Sequence, residues 1–344
     1  RAIVRLERLL EALPSGINLF RLLEARPGLL EQLMAIITLA PPLADDLARR
    51  PALFDALIDR SAHDLPESVP ALQRAMQRAE PRGNYEALLD RIRVVTGEQR
   101  FALGVQLITG THDPLDIAHG FAVVAEAALQ TALAGTVAEF AKTHGTIEDS
   151  EMVILGLGRL GGEALTHASD LDIIYLFTGD HGAESDGERP MSATRYYNRL
   201  AQRVGAALSV PTAEGPLYEV DTRLRPQGAQ GPLAVSVESF ARYQRESAWT
   251  WEHMALARAR VVAGSFAARA DVDDIIREVL LAPRDPAIGL EAGVIAAMAG
   301  REDQARASFA SVIEVAPDSV EAGRARTYLT RLDGGAQQEG PSGR

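Results

Sequence analysis

The stretch that decides the fold reads Gly156-Leu157-Gly158-Arg159-Leu160-Gly161-Gly162, followed shortly by Ser169-Asp170-Leu171-Asp172-Ile173-Ile174-Tyr175-Leu176-Phe177. The apolar runs at 152–155, before the glycines, and at 170–177, after them, predict two short strands. Too few residues separate the two runs for a parallel crossover, whose helix needs roughly a dozen or more. We therefore predict that these strands pair antiparallel.

Asp170 and Asp172 are two positions apart in the second strand, so their side chains point to the same face. Two carboxylates this close repel each other unless a cation lies between them. Carboxylate oxygens suit Mg²⁺, which also binds phosphates. The pair indicates a site for a metal–nucleotide, although a strand entrance with two solvated acids would show the same pattern.

The glycine-rich turn leaves backbone N–H groups open to an anion. Gly156, Gly158 and Gly161 also match the dinucleotide-binding fingerprint, but the short connection to the next strand disfavours that interpretation. No Gly-Lys-Ser/Thr follows, as a P-loop requires. A Rossmann-type oxidoreductase stays as a third alternative, which tight NADH binding without metal would identify.

A third strand is predicted over 217–224, where apolar and charged residues alternate. On its charged face, Asp221 can complete a trio with Asp170 and Asp172. Three carboxylates holding two Mg²⁺ ions are the arrangement for in-line nucleotidyl transfer. Arg223 and Arg225 can clamp phosphate oxygens, but a surface ion-pair face is equally consistent with them.

Ser169 can donate a hydrogen bond to phosphate or cap a turn, and it lacks the nearby base that a nucleophile needs. Both tryptophans of the chain, Trp249 and Trp251, stand at a predicted helix start, and we expect at least one to pack in the core. Beside them, Glu252 and His253 can order the site without touching the metal.

Composition narrows the class of protein. The chain has 344 residues, an apolar fraction of 47%, no cysteine and a formal net charge of −12. This predicts two or three domains, excludes disulfides and thiolate metal sites, and disfavours nucleic acid as a partner. No signal-like start or apolar run of membrane-spanning length is evident, so we expect a cytoplasmic protein with no membrane partner.

Periodicity divides the chain. Helical spacing of apolar residues runs to about 145, returns over 192–208, and resumes near Val237 to run past Val262. Beyond Pro286 the spacing of Gly293, Ala305, Phe309 and Pro317 is typical of a tetratricopeptide helix pair. A single repeat cannot bury its own apolar face, so we expect it to pack against another surface or to be poorly ordered. The predicted boundaries are 1–148 (helical linker or regulatory domain), 149–236 (α/β domain), 237–287 (start of a truncated helical domain), 288–332 (repeat-like pair) and 333–344 (disordered tail).

The motifs together resemble one known family, the bifunctional glutamine synthetase adenylyltransferase/adenylyl-removing enzymes. The resemblance covers residues 1 to about 287. It is carried by the glycine turn (156–162), Ser-Asp-Leu-Asp (169–172), Tyr-Glu-Val-Asp-Thr-Arg-Leu-Arg-Pro (218–226), Ala-Trp-Thr-Trp-Glu-His-Met-Ala-Leu (248–256) and Arg-Ala-Arg-Val-Val (258–262).

The resemblance implies an α+β, mostly helical fold, with a polymerase-beta-like nucleotidyltransferase sheet between helical domains. It implies transfer of AMP from ATP to a tyrosine of glutamine synthetase, which regulates nitrogen assimilation. The full-length family also removes AMP by phosphorolysis, but the block at 248–253 is similar to the C-terminal, adenylylating half. Mg²⁺ at Asp170, Asp172 and Asp221 is implied, with control by glutamine and the nitrogen regulatory protein P-II.

The implied nucleotide site comprises the glycine turn and the polar residues around the trio. Its members are Gly158, Arg159, Gly161, Gly162, Ser169, Arg223 and Arg225. Arg159 replaces the lysine usual in the family and keeps its charge. Because only one catalytic module is present and the sequence changes character after Pro286, the alternative is an inactive fragment that binds glutamine synthetase or P-II without catalysis.

Overall fold

The computed structural model describes residues 2–12, 16–58, 64–78, 84–281, 286–298 and 302–335. Contacts divide the chain into two compact units, Arg1–Val279 and Leu280–Arg344. Each unit has its own cluster of buried apolar side chains. The larger unit holds the small sheet, and it is the unit that matters for the candidate site.

Eight helices precede the sheet in the described part of the larger unit. They are α1 (Ala2–Ala12), α2 (Gly16–Ala25), α3 (Pro27–Leu39), α4 (Pro41–Arg49), α5 (Leu53–Ile58), α6 (Val69–Gln77), α7 (Tyr85–Thr109) and α8 (Pro114–His144). Several begin with proline, which lacks the N–H that a first turn leaves unpaired. Helix α7 begins after Asn84, whose side chain accepts the N–H of Ala87 at 2.9 Å. The leucine-rich faces of α1–α5 pack on Phe101 and Val105 of α7.

The sheet has five short strands. They are β1 (Met152–Gly156), β2 (Leu171–Phe177), β3 (Val220–Asp221), β4 (Ala234–Ser236) and β5 (Arg260–Ala263). The strand order is β3-β2-β1-β5, and β4 also pairs with β2. Strands β1 and β2 are antiparallel, which confirms the prediction from the short connection between them. Strands β3 and β4 both run parallel to β2, one beside its beginning and the other beside its end.

Two predictions about secondary structure were wrong in detail. The alternating segment 217–224 forms a strand only at Val220–Asp221. The helical pattern after Val237 gives α11 (Val237–Glu246) and α12 (Thr250–Leu256), but it is interrupted by β5 before α13 (Phe266–Leu281). Burial explains the second error, because Val261, Val262 and Ala263 are buried beside β1 and an apolar run alone does not separate strand from helix.

Helix α8 is the core of the larger unit. It packs against α6, α7 and α10 (Ala193–Ser209), the helix that follows β2. By length and composition it could cross a membrane, but 67% of its apolar window is buried inside the protein. The bent pair α3 and α4 passes the same test only if both are taken as one span, with a 113° bend. Among the described residues, we therefore interpret α8 as a core helix.

The smaller unit contains three described helices, α14 (Pro286–Met298), α15 (Glu302–Val315) and α16 (Val320–Gly335). Phe309 is fully buried and stacks on Tyr328, with ring centroids 5.3 Å apart. Gly293 faces Phe309 so closely that a side chain at 293 would overlap the ring. The predicted disordered tail, 333–344, lies outside the described residues except for the last turn of α16.

Candidate metal and nucleotide site

Three carboxylates converge where the glycine turn meets the sheet. One oxygen from each of Asp170, Asp172 and Asp221 lies within 4.8 Å of the other two. Asp170 is exposed and the other two are half-buried, so the cluster opens to solvent. Within the described part of the chain, no other group of acidic or histidine side chains has this spacing.

Strand register brings the trio together. Asp172 of β2 stands beside Asp221 of β3, because Leu171 pairs with Val220 in the same parallel ladder. Adjacent residues in parallel strands present their side chains to the same face of the sheet. Asp170 lies just before β2, and one of its carboxylate oxygens lies within 4.8 Å of an oxygen of Asp172. Leu171 also donates its N–H to the carbonyl of Glu219 at 2.9 Å. This backbone bond joins the start of β2 to the residues that lead into β3.

The electrostatics of the trio favour a cation. The pKa of Asp172 is raised by burial and by the charges of Asp170 and Asp221, against the opposing charge of Arg223. By contrast, the pKa of Asp221 is lowered, chiefly by its hydrogen bonds with Arg223. Three acids that repel one another and present oxygens at this spacing are a donor set suited to a hard divalent ion.

Arg223 lies at the edge of the trio and is bound to one of its members. Its Nε lies 3.0 Å and 2.8 Å from the two carboxylate oxygens of Asp221, and its Nη2 also contacts Oδ2. Its backbone N–H donates to Oδ1 of the same residue at 2.8 Å. The arginine side chain is 82% exposed, so its outer face is open to a solution anion.

The glycine turn passes directly under the trio. Residues Gly158–Gly161 form a single helical turn, α9, and Gly158 has the positive φ of 52° that glycine adopts at no steric cost. A side chain at Gly158 would overlap the carboxylate of Asp172, and one at Gly161 would overlap the carbonyl of Arg258. Leu157 donates its N–H to the carbonyl of Asp172 at 2.9 Å. The turn is therefore built for close approach of backbone to acid.

The remaining predicted residues make local contacts around this turn. Arg159 is exposed and donates to the carbonyl of Ala164 at 2.9 Å, and Gly162 ends α9. The hydroxyl of Ser169 accepts the N–H of Thr166 at 3.0 Å, so it holds the turn before β2. Arg225 donates to the carbonyl of Thr222 at 2.8 Å and so braces its own loop.

The tryptophan segment differs from its prediction. Trp249 and Trp251 are 70% and 55% exposed, so neither packs in the core as we expected for at least one of them. Glu252 is buried instead, and it accepts the N–H of Trp249 at 2.7 Å and the hydroxyl of Tyr243 at 3.0 Å. The buried group at this helix start is thus the acid, which fixes α12 while the indoles face solvent.

One residue that contacts the acid-bearing segments was missed by sequence reasoning. Arg100 of α7 donates to the carbonyls of Leu217 and His167, which precede Asp221 and Asp170. The helical pattern around Arg100 does not predict a contact with residues so distant in the sequence. Only the packing of α7 beside residues 209–219 reveals it.

Comparisons with known proteins agree with the geometry. The family model described as glutamate-ammonia ligase adenylyltransferase matches residues 30–275. The bifunctional glutamine synthetase adenylyltransferase/adenylyl-removing enzyme of Mesorhizobium japonicum is 43% identical over 308 residues, which is 89% of this chain and 31% of that protein. The proteins of the same name from Brucella melitensis and Brucella suis are 43% and 44% identical, over 83% and 82% of this chain and 29% of their own lengths.

The chain thus spans about 30% of the length of the curated relatives it matches. The match covers all five strands, the glycine turn and the three acids. The α+β fold with its acidic trio fits the nucleotidyltransferase expectation from the sequence. The chain belongs to the glutamate-ammonia ligase adenylyltransferase family.

Proposed function

We propose that this chain transfers AMP from ATP to a tyrosine of glutamine synthetase. The observation that carries the proposal is the convergence of Asp170, Asp172 and Asp221 beside a glycine turn, within a family of adenylyltransferases. The relatives' name supplies glutamine synthetase as the acceptor protein. The formal net charge of the chain, −12, favours a protein acceptor over nucleic acid.

In the proposed reaction the tyrosyl oxygen forms a bond to the α-phosphorus of ATP. The bond between that phosphorus and the bridging oxygen breaks, and pyrophosphate and a proton are released. Bound Mg²⁺ would neutralise charge that develops on the phosphates and lower the pKa of the attacking hydroxyl.

Each protein group has a proposed part. Asp170, Asp172 and Asp221 hold the metal. Arg223, whose outer face is exposed, and Arg225 bind phosphate oxygens, as does the hydroxyl of Ser169. The turn residues Gly158, Arg159, Gly161 and Gly162 line the nucleotide site, where small residues let phosphate approach the backbone.

The direction of the reaction is part of the proposal. Adenylylation is favoured because the segment 248–253 is similar to the adenylylating half of the family. Removal of the adenylyl group is the other activity named for the relatives. The proposed setting is the cytoplasm, with glutamine and P-II as regulators and 1–148 as the regulatory helical segment.

The proposal is tested by incubating the purified chain with glutamine synthetase, labelled ATP and Mg²⁺. We expect label on glutamine synthetase that disappears with EDTA. Asp170→Asn and Asp172→Asn should each abolish it, whereas Asp271→Asn, an exposed acid on α13, should not. Full labelling by either trio variant would reject the site.

A second assay determines whether the chain adds AMP to glutamine synthetase or removes it. The same chain is incubated with AMP-modified glutamine synthetase and inorganic phosphate, and ADP release is measured. ADP release without forward labelling would identify the removing activity. Failure of both reactions, together with no binding of Mg²⁺-ATP, would support the inactive fragment that binds a partner.

A further inference from the structure

The two segments that carry the trio are fastened to the same side chain of α7. Arg100 donates from Nη1 to the carbonyl of Leu217 at 3.1 Å. From Nη2 it donates to the carbonyl of His167. Leu217 lies four residues before Asp221, and His167 lies three residues before Asp170. One guanidinium therefore bridges the backbone leading into β2 and the backbone leading into β3.

The position of this guanidinium is fixed from a third direction. Its Cζ lies over the ring of Tyr218, 5.0 Å from the centroid, at a distance where a cation–π contact is favourable. Tyr218 is buried and directly follows Leu217. Because guanidinium is planar and its donors form a rigid fork, one arginine can hold two carbonyls at a set separation.

Arg100 lines an open cavity of about 940 Å³. The cavity lies between α4 and α7 on one side and residues 167–170 and 209–219 on the other. Several polar contacts cross it. Arg93 donates to the carbonyls of Ala207, Val210 and Gly215, and Arg50 donates to that of Glu214. On the helical side, Arg50 also donates to the carbonyl of Arg93.

Among these described arginines, Arg100 alone donates to both acid-bearing segments. Arg93 and Arg50 donate to the segment that leads to β3, and in the described part of the chain neither donates to the segment that leads to Asp170. The three carboxylates repel one another, and this repulsion tends to separate β3 from the start of β2. The β2–β3 ladder opposes that separation at Leu171 and Asp172, and the Arg100 bridge adds a second tie between the backbone segments that lead into the two strands.

We propose that Arg100 is a positioning residue for the trio: it sets the separation between Asp170 and Asp221 and thereby the affinity of the trio for a divalent cation. The inference rests on the proposed function, since it takes the trio as the metal site. It adds that a residue of the helical segment, 1–148, sets the geometry of that site. Arg100 itself touches neither the acids nor any reacting atom.

The test measures Mn²⁺ binding to the whole chain by electron paramagnetic resonance, without nucleotide. We expect Arg100→Gln to weaken Mn²⁺ binding on the order of tenfold, the lower end of the effect typical for residues that orient metal ligands. Arg50→Gln is the matched control. It also removes an arginine that lines the cavity and binds two carbonyls, and we expect wild-type affinity.

A conservative variant separates bridging from charge. Arg100→Lys keeps the positive charge near Tyr218, but a single ammonium cannot span both carbonyls as the fork does. We expect Arg100→Lys to bind Mn²⁺ weakly, like Arg100→Gln, and this milder variant decides the question if Arg100→Gln does not fold. Wild-type affinity in Arg100→Lys would overturn the bridge.

Unfolding in urea is measured for every variant. Equal loss of Mn²⁺ affinity in Arg100→Gln and Arg50→Gln, in step with their loss of stability, would make Arg100 merely structural and overturn the proposal. Wild-type protein that binds no Mn²⁺ would overturn the metal site and this inference together. Wild-type binding with unchanged affinity in Arg100→Gln would overturn the inference alone.

Discussion

The backbone of Gly158 lies against the carboxylate of Asp172, so closely that a side chain at 158 would overlap Oδ2 of the aspartate. The neighbouring residue, Leu157, donates its N–H to the carbonyl of the same aspartate at 2.9 Å. The turn between β1 and α9 therefore binds the main chain of Asp172 and leaves room for its carboxylate. The position of one acid depends on the absence of a side chain in a different segment.

Gly158→Ala should displace Asp172 and weaken Mn²⁺ binding by about tenfold or more, since ligand-orienting changes typically cost 10- to 100-fold. Positive φ alone could also disturb the turn, so the control must share it. Gly110 has a φ of 65° and nothing near its would-be side chain. Gly110→Ala should therefore carry the backbone strain and keep wild-type Mn²⁺ affinity. Equal loss in both variants would contradict the steric explanation.

The pKa of Asp172 predicts how stability depends on pH. Because burial and the neighbouring acids raise this pKa, the ionised carboxylate destabilises the folded chain at neutral pH. The penalty disappears as the pH falls through the raised pKa and below the ordinary carboxyl range. Asp172→Asn should therefore have a higher Tm than wild type in EDTA at about pH 7, and the difference should close towards about pH 3.

Within the same trio, ionised Asp221 should have the opposite effect on the stability of the fold. Hydrogen bonds from Arg223 lower its pKa, so its ionised form stabilises the fold above the ordinary carboxyl pKa and this contribution is lost as the pH falls. Asp221→Asn should have a lower Tm than wild type at about pH 7, by a small amount because Arg223 is largely exposed. Shifts of the same sign in both variants would contradict the assigned pKa directions.

Removing the Arg223 guanidinium should change the affinity for metal and the affinity for nucleotide in opposite directions. It contacts both oxygens of Asp221 and places a positive charge beside the metal ligands. Arg223→Gln should therefore tighten Mn²⁺ binding a few-fold without nucleotide and weaken binding of Mg²⁺-ATP. Calorimetric titration with each ligand measures both effects. Weaker Mn²⁺ binding in this variant would show that the arginine supports the trio instead of competing for it.

Glu252 should matter more for stability than the tryptophans beside it. Its carboxylate is buried and accepts hydrogen bonds from the backbone of Trp249 and from Tyr243. Glu252→Ala should lower the free energy of unfolding by about 1–3 kcal/mol, because two donors lose their acceptor. Trp249→Ala, at a side chain that is 70% exposed, should change it by no more than about 0.5 kcal/mol. Urea unfolding measures both, and the reverse order would refute this assignment.

Local pattern was enough to predict the parts of the site that are close in sequence. The two-residue spacing of Asp170 and Asp172 and the short connection after the glycines were sufficient for a shared face and an antiparallel pair. Asp221 required only that a third strand lie beside β2, which it does for two residues. These relationships depend on backbone geometry that adjacent residues set.

Relationships between distant segments were not predictable in this way. The bridge from Arg100 to residues 167 and 217 depends on how α7 packs, and an arginine is common on any helix. Strand β5 was hidden in a helical pattern because Val261 and Val262 suit either element, and only its pairing with β1 decides between them. Trp251 is exposed while its neighbour Glu252 is buried, and composition does not reveal this arrangement.

The pairing of β5 with β1 has a practical consequence for engineering this protein. All five residues of β1 are buried, and its two neighbours are β2 on one side and β5 on the other. A shortened version that stops before Arg260 would leave β1 with a bare row of N–H and C=O groups along one side. Such an edge is a template for aggregation, so a soluble minimal fragment should extend at least to Ala263.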